Sequence, residues 1–363
     1  MKLFTEYKLG RNDLKNRIVM APMTRCRAIN NIPGELMVDY YEQRSEAGLL
    51  ITEGTAPSPN GLGYARIPGI YSPEQIKGWK QVTDAVHASG GKIFIQLMHT
   101  GRVSHRFNME NGTEIIAPSP LALSGEMYSD THGMQPYPTP KEMTEDDIYK
   151  TIKEYVMAAR NAIVAGFDGV ELHGANGYLI DQFINTASNK RTDNYGGSIE
   201  NRTRFALEVA KNVSEAIGSD RTGIRLSPYG VFNDMELFDG IEETYEYLAL
   251  ELGKLQLTYI HIVDHSSMGA AEVKETVKER IRKAFGGPII ASGGFDKLKA
   301  EKVLDEGDAQ LVSFGRPYLA NPDLETRLKF DLPLNEPDFD TFYTPGEKGY
   351  TDYPTYEKVK VNS

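Results

Sequence analysis

Three groups of residues in this chain have the types and spacing to act together on one small molecule. The first is the string His173-Gly174-Ala175-Asn176-Gly177-Tyr178. A neutral imidazole and a carboxamide can both donate to a single carbonyl oxygen, and a tyrosine of ordinary pKa, ~10, still holds a proton to deliver. A lone histidine is more often a satisfied core residue; Asn and Tyr in the same loop turn the reading toward chemistry. The second group is Ser292-Gly293-Gly294 with Gly315-Arg316. Glycines offer backbone N–H groups with no Cβ in the way, just before a helix starting near Asp296, and the arginine adds a cation, so together they suit a phosphate. Taken singly, each piece would equally be a tight turn or a surface arginine. The third group is Thr24, Gln96 and Arg225. A partly buried guanidinium requires an anion or a polarised acceptor, and a glutamine amide both donates and accepts. A flat, phosphorylated heterocycle with imide-like edges would satisfy all three groups at once, and flavin mononucleotide (FMN) fits that description better than a sugar phosphate.

These residues need a frame that gathers them at one end. Short apolar runs recur at Ile18 to Met20, Leu49 to Thr52, Lys92 to Leu97, Gly169 to His173, Gly223 to Ser227, Tyr259 to Val263, Pro288 to Ala291 and Gln310 to Phe314. They read as parallel strands buried on both faces, each followed by an amphipathic helix. Ser72-Pro73-Glu74-Gln75 carries an N-cap, a first-turn proline and a capping-box glutamine, with Ile76, Trp79, Val82 and Val86 following at helical spacing toward Ser89. Thr144 caps the next long helix, with Ile148, Ile152, Tyr155 and Ala159 as its stripe and Gly166 as its left-handed stop. Strict alternation over this many pairs predicts an α/β fold of the closed (β/α)₈ TIM-barrel type, whose active site lies at the C-terminal ends of the strands. Strand alternation then turns Gln96 and Arg225 inward, with Ile95, Leu97, Ile224 and Leu226 facing the helices. A two-domain Rossmann arrangement is the alternative, and no strand is followed by the G-x-G-x-x-G it needs. Residues 3–17 read as an N-terminal hairpin that could plug the barrel floor, and residues 99–140 as a lid inserted after the third strand. The chain is read as one domain over residues 1–363.

Composition excludes several function classes. Of 363 residues, 40% are apolar and 25% charged, as in a globular protein with a sizeable core. The formal net charge of −11 would repel a nucleic acid or an anionic membrane surface. Cys26 is the only cysteine, which excludes an internal disulfide, a cysteine-ligated iron-sulfur cluster and a four-thiolate zinc site. The N-terminus has no apolar signal region and no stretch approaches a membrane span, so a cytoplasmic location is expected. A monomer or a homodimer is expected.

Longer strings carry a resemblance. Asn16-Arg17-Ile18-Val19-Met20-Ala21-Pro22-Met23-Thr24-Arg25, Glu171 to Tyr178, Arg191-Thr192-Asp193-Asn194-Tyr195-Gly196-Gly197-Ser198 and Gly349-Tyr350-Thr351-Asp352-Tyr353-Pro354 stand in this order along the chain. With them the sequence resembles the Old Yellow Enzyme family of flavin-dependent ene-reductases, and is most similar to its bacterial N-ethylmaleimide and xenobiotic reductase branch. The resemblance implies bound FMN and a ping-pong reaction in which NADPH, or NADH, reduces the flavin before an activated alkene enters. The alkene would be an α,β-unsaturated carbonyl, a maleimide or a nitroalkene. It implies that Thr24 tunes the flavin, that Gln96 and Arg225 hold its pyrimidine side, and that Gly293, Gly294, Gly315 and Arg316 hold its phosphate. Pro22, Met23 and Gly54 would be backbone or packing contacts. His173 and Asn176 would bind the electron-withdrawing group, Tyr178 would protonate the α-carbon, and Tyr64, Met98 and Tyr343 would line the substrate pocket. The chain departs from the family pattern at Met98, where this branch commonly carries Trp, and in its own lid sequence. Cys26 stands two residues beyond Thr24, off the flavin-facing position.

Rival chemistries lack their residues. A metal-dependent hydrolase needs clustered ligands, yet the first strand ends Ala21-Pro22-Met23-Thr24, and His173, His261 and His265 lack a carboxylate-rich surround. A Schiff-base aldolase needs an inward lysine, and Lys92 stands at the wrong end of its strand. A non-enzymatic barrel used as a binding scaffold is the third possibility; a yellow purified protein would favour flavin, and a colourless one that loses activity to chelators would favour metal.

Overall fold

Aliphatic and β-branched runs bounded by turn residues form eight parallel strands, each within a residue or two of its expected span: β1 Ile18–Met20, β2 Leu49–Ile51, β3 Ile93–Leu97, β4 Gly169–Gly174, β5 Thr222–Leu226, β6 Tyr259–Val263, β7 Ile289–Ser292 and β8 Leu311–Phe314. The structure, a computed structural model, describes residues 1–356; the last residues of the expected domain lie outside that range. Each strand pairs with its sequence neighbours and β8 returns to β1, which closes the barrel. Register decides which side chains share a level. Glu171 stands beside Gln96, and His173 beside Arg225, which stands in turn beside His261. Because successive side chains alternate sides, all of these face inward together.

The helices form for the reasons legible in their first turns. Ser72 Oγ accepts from Gln75 N and Gln75 Oε1 accepts from Ser72 N at 3.0 Å, starting the helix Pro73–Ala88. Thr144 and Asp147 make the same reciprocal box at the head of Glu145–Val164. Both helices bury their apolar stripe on the barrel's outer face, where Trp79 also donates to Gly69 O at 3.0 Å. Gly166, at φ +94°, stops the second helix where a side chain would be strained.

The N-terminal hairpin pairs Tyr7–Leu9 with Asn12–Leu14 across a two-residue turn. Gly10 is obligatory there: its φ is +55°, and a Cβ would meet Asp220 O at 2.3 Å. Leu9 and Leu14 pack against Val19, Leu49, Ile51, Phe94, Tyr259, Ile290 and Leu311. The expected plug therefore seals the barrel floor with apolar contacts. The 99–140 insertion is more ordered than its composition suggests. It contains a hairpin, Glu126–Ser129 with Gly133–Pro136, and its Ile116–Ala117 pairs in parallel with Lys141–Glu142 just beyond it. Ser124 bonds Asp234 at 2.8 Å and so ties this lid to the loop after β5. Among the described residues no helix is long and apolar enough to cross a membrane.

Candidate active site

Every residue singled out from the sequence as a site residue lines one cavity of about 670 Å³ at the C-terminal end of the barrel. Pro22, Met23 and Thr24 enter it from the end of β1, Gly54 from β2, Gln96 and Met98 from β3, and His173, Asn176 and Tyr178 from β4 and its loop. Arg225 comes from β5, Gly293 and Gly294 follow β7, Gly315 and Arg316 follow β8, and Tyr64 and Tyr343 arrive from the loop after β2 and the C-terminal segment.

At the cavity floor Gln96 Nε2 donates to Glu171 Oε1 at 2.8 Å. Tyr259 Oη, at 3.1 Å, and His261 Nδ1, at 2.8 Å, meet the other carboxylate oxygen. Burial opposes ionisation of Glu171, yet His261, Arg225 and the Gln96 amide keep its carboxyl below the usual carboxylate range. Glu171, which sequence reasoning did not single out, is thus the carboxylate beside His261 and the counter-ion of the floor. The bond from Glu171 also orients Gln96, since it fixes which end of the amide is committed. Arg225 is buried, and its Nε has no hydrogen-bond partner among the described residues. A buried guanidinium with an unused donor needs an acceptor from a ligand.

On the β7–β8 side Gly293 and Gly294 have φ of +147° and +62°, and Cβ atoms there would strike Asp264 O at 2.6 Å and Ser267 Cβ at 2.7 Å. Both positions therefore require glycine. Ser313, paired in register with Ser292, has a buried hydroxyl without a partner among the described residues. Arg316 opens the short helix Arg316–Ala320 and is exposed, its guanidinium 5.4 Å from the Phe339 ring centre.

On the opposite side His173 is fully enclosed. Burial, then the charges of Arg225, His261 and His265, push its pKa well below the ordinary value, so the ring is neutral. Its Nδ1 has no partner among the described residues, and the ring meets Tyr178 edge to face at 4.9 Å. Burial pushes the Tyr178 hydroxyl up to about 12, which keeps its proton in place at neutral pH. Asn176 adopts φ +61°, a conformation Asn tolerates better than most residues. Its N–H donates to Ser227 Oγ at 2.9 Å, its carbonyl accepts from Asn233 Nδ2 at 2.8 Å, and its side-chain Oδ1 lies 2.7 Å from His265 Nε2.

Met98 is buried and lies across Gly54, where a Cβ would come within 2.4 Å of its sulfur. Gly54 is therefore a packing glycine that makes room for a methionine. Cys26 is buried and outside the cavity lining, its thiol pushed up to about 12 by burial and by Glu53. Tyr343 is exposed, but its backbone is anchored: Arg66 donates to its carbonyl at 2.8 Å, and Arg25 and Arg27 donate to the carbonyl of Phe342 next to it. Sequence reasoning missed Phe232 of the cavity wall, and it weighed His265 only as a metal ligand. The signal for His265 was its place at the end of β6, level with the other strand-end residues.

A sequence model of the NADH:flavin oxidoreductase / NADH oxidase family matches residues 2–335. The chain is 44% identical to 12-oxophytodienoate reductase 1 of Oryza sativa subsp. japonica, over 99% of this chain and 95% of that protein. Among solved structures it superposes on morphinone reductase in complex with tetrahydroNAD with a TM-score of 0.93 and 44% identity, over 98% of each chain. It superposes equally on the Old Yellow Enzyme homologue from Zymomonas mobilis, with a TM-score of 0.93 and 39% identity over 98% of this chain and 99% of that one.

Proposed function

The chain belongs to the NADH:flavin oxidoreductase / NADH oxidase family, that of its Old Yellow Enzyme homologue, and from that premise we propose that it is an FMN-dependent ene-reductase working in ping-pong order. Its acceptors are α,β-unsaturated carbonyls, maleimides and nitroalkenes, and its reductant is NADPH or NADH. The residues present fit FMN. Arg225 has a buried donor unused among the described residues, Gln96 an amide oriented by Glu171, and the β7 turn two glycines at positive φ with no room for a Cβ. Thr24, Gln96 and Arg225 would hold the ring, and Gly293, Gly294, Gly315 and Arg316 the phosphate. When bound, FMN supplies the two-electron chemistry, taking hydride from the nicotinamide and giving it to the β-carbon of the alkene.

The protein's own residues do the rest. His173 and Asn176 donate to the oxygen of the electron-withdrawing group, where negative charge grows as the β-carbon accepts hydride. Donors aimed at growing charge bind the transition state better than the ground state, and removing one typically costs ~10²-fold to 10³-fold in rate. Tyr178 delivers its proton to the α-carbon, and Tyr64, hydrogen-bonded to it, stabilises the phenolate left behind. Tyr64, Met98 and Tyr343 shape the pocket wall. The hairpin packs under the barrel and the lid is tied to the loop after β5, in keeping with a single FMN-binding domain.

The observation that carries this reading is the convergence of a neutral His173, its Nδ1 without a partner among the described residues, the Asn176 amide and a proton-bearing Tyr178 on the cavity floored by Gln96 and Arg225. The test is to purify the protein, identify any released flavin, and follow NADPH and NADH oxidation with N-ethylmaleimide, 2-cyclohexenone and a nitroalkene. A yellow protein that forms the saturated products is expected. A protein that neither retains nor takes up FMN, or that oxidises NADPH without reducing any alkene, overturns the reading.

A further inference from the structure

The Asn176 side chain carries two ends of opposite sense, an NH₂ that donates and a C=O that accepts. Only the donor end helps an oxygen that is gaining charge; the carbonyl end would repel it. The backbone of Asn176 is fixed on both sides, by Ser227 Oγ at its N–H and by Asn233 at its carbonyl. Those bonds place the residue, yet they leave the amide free to turn over by half a rotation.

We propose that His265 is a positioning residue that fixes the Asn176 amide with its donor end toward the substrate. His265 Nε2 lies 2.7 Å from Asn176 Oδ1. The other ring nitrogen, Nδ1, is buried and has no partner among the described residues. A proton on Nδ1 would bury an N–H with nothing to accept it, whereas a bare lone pair there is the smaller loss. The proton therefore sits on Nε2, donates to Oδ1, and commits the carbonyl end of the amide. The Asn176 NH₂ is left for the cavity.

His265 is itself held. The Phe232 ring lies against it at 4.5 Å between centres. Its own carbonyl accepts from Met268 N at 2.8 Å, and neighbouring Asp264 accepts from Ser266 N at 2.9 Å and pairs with Lys278 at 3.3 Å. Burial, then Arg225, lower its pKa to about 4 against the opposing charge of Asp264, so the ring stays a single-proton donor near neutrality. The inference rests on the reading of Asn176 as a donor to substrate oxygen.

Two measurements test it. Nitrogen NMR of the histidine rings in ¹⁵N-labelled holoenzyme, with the His265 signals assigned by their loss in His265→Gln, should show the Nε2–H tautomer. An Nδ1–H tautomer overturns the proposal. Second, a para-substituted phenol is titrated into the oxidised holoenzyme, following the long-wavelength charge-transfer band together with FMN affinity and melting temperature. Loss of one charge-assisted donor should weaken phenolate binding about 10-fold in His265→Phe, approaching Asn176→Ala, with FMN affinity unchanged. His265→Gln, whose Nε2 reaches as far from the backbone as that of histidine, should restore most of it. Wild-type binding in His265→Phe overturns the inference alone. No band in the wild type overturns the donor reading of the site, and the inference with it. Should His265→Phe not fold, the ring tautomer and the Gln variant still decide.

Discussion

The hydroxyls of Tyr178 and Tyr64 lie 3.0 Å apart, and their rings meet edge to face at 6.3 Å between centres. Both phenols are raised above their ordinary pKa by burial, so two protons are shared along one line into the cavity. When Tyr64 donates to Tyr178, the Tyr178 proton is free to point at a substrate carbon.

That arrangement separates the two half-reactions. Tyr178→Phe should leave reduction of the flavin by NADPH nearly unchanged and slow reduction of a cyclic enone by about 100-fold or more, the usual worth of a general acid. Tyr64→Phe should cost less, because it removes only the support of the phenolate. Stopped-flow measurement of each half-reaction checks both; equal slowing of the two halves by Tyr178→Phe would contradict the assigned role.

Arg316→Ala should weaken FMN binding by roughly 10-fold, the lower end for a charge-assisted hydrogen bond, because Arg316 is exposed and water screens it. The measurement is fluorescence titration of the apoprotein with FMN and with riboflavin, which lacks the phosphate. The loss should appear with FMN and vanish with riboflavin.

Met98 and Gly54 should behave as a pair. A methyl at Gly54 would overlap the Met98 sulfur at 2.4 Å, and a methionine can yield because its torsions are soft. Gly54→Ala should therefore fold and push Met98 into the cavity, slowing bulky β-substituted enones while sparing N-ethylmaleimide. Met98→Trp should narrow the wall in the same direction. Combining Gly54→Ala with Met98→Ala should restore the bulky substrates, and independent, additive losses would place Met98 outside the substrate's path.

Asp181 sits beneath the Asn176 loop, accepting from Gly177 N at 2.8 Å, and burial raises its carboxyl from 3.8 to about 7. An acid whose folded pKa lies above its unfolded one contributes stability that is complete below about pH 4 and is lost as the pH rises through about 7. Glu53 and Glu325, raised to about 7 by burial, act in the same sense. Melting temperatures between pH 4 and 8 should fall less steeply in Asp181→Asn than in the wild type. A parallel pair of curves would show that Asp181 ionises as readily folded as unfolded.

The barrel was legible because each of its strands carries a local signal, an apolar run too short for a helix and flanked by turn residues. The cavity residues were legible because a barrel collects strand ends, so Gln96 and Arg225 could be placed by alternation and His173 by its strand end with Asn176 and Tyr178 in the same loop. Pairings between loops were not. Tyr64 and Tyr178 are far apart in the chain, and so are Asn176 and His265; nothing local records that their tips meet. The anchoring of Tyr343 by arginines that bind backbone carbonyls was equally hidden, because a carbonyl leaves no mark on the sequence. The lid's hairpin escaped notice because its strands alternate weakly, and Met134 and Tyr128 remain exposed.

The leucine-stoppered base of the barrel also has a kinetic corollary. With Leu9 and Leu14 wedged into one end, the far end, where exposed Phe232 and Tyr343 line the cavity, must on the proposed ping-pong order serve both visitors in turn. A surplus of either then occupies the room when the other is due. High alkene concentrations should slow turnover, and more nicotinamide should lift that brake.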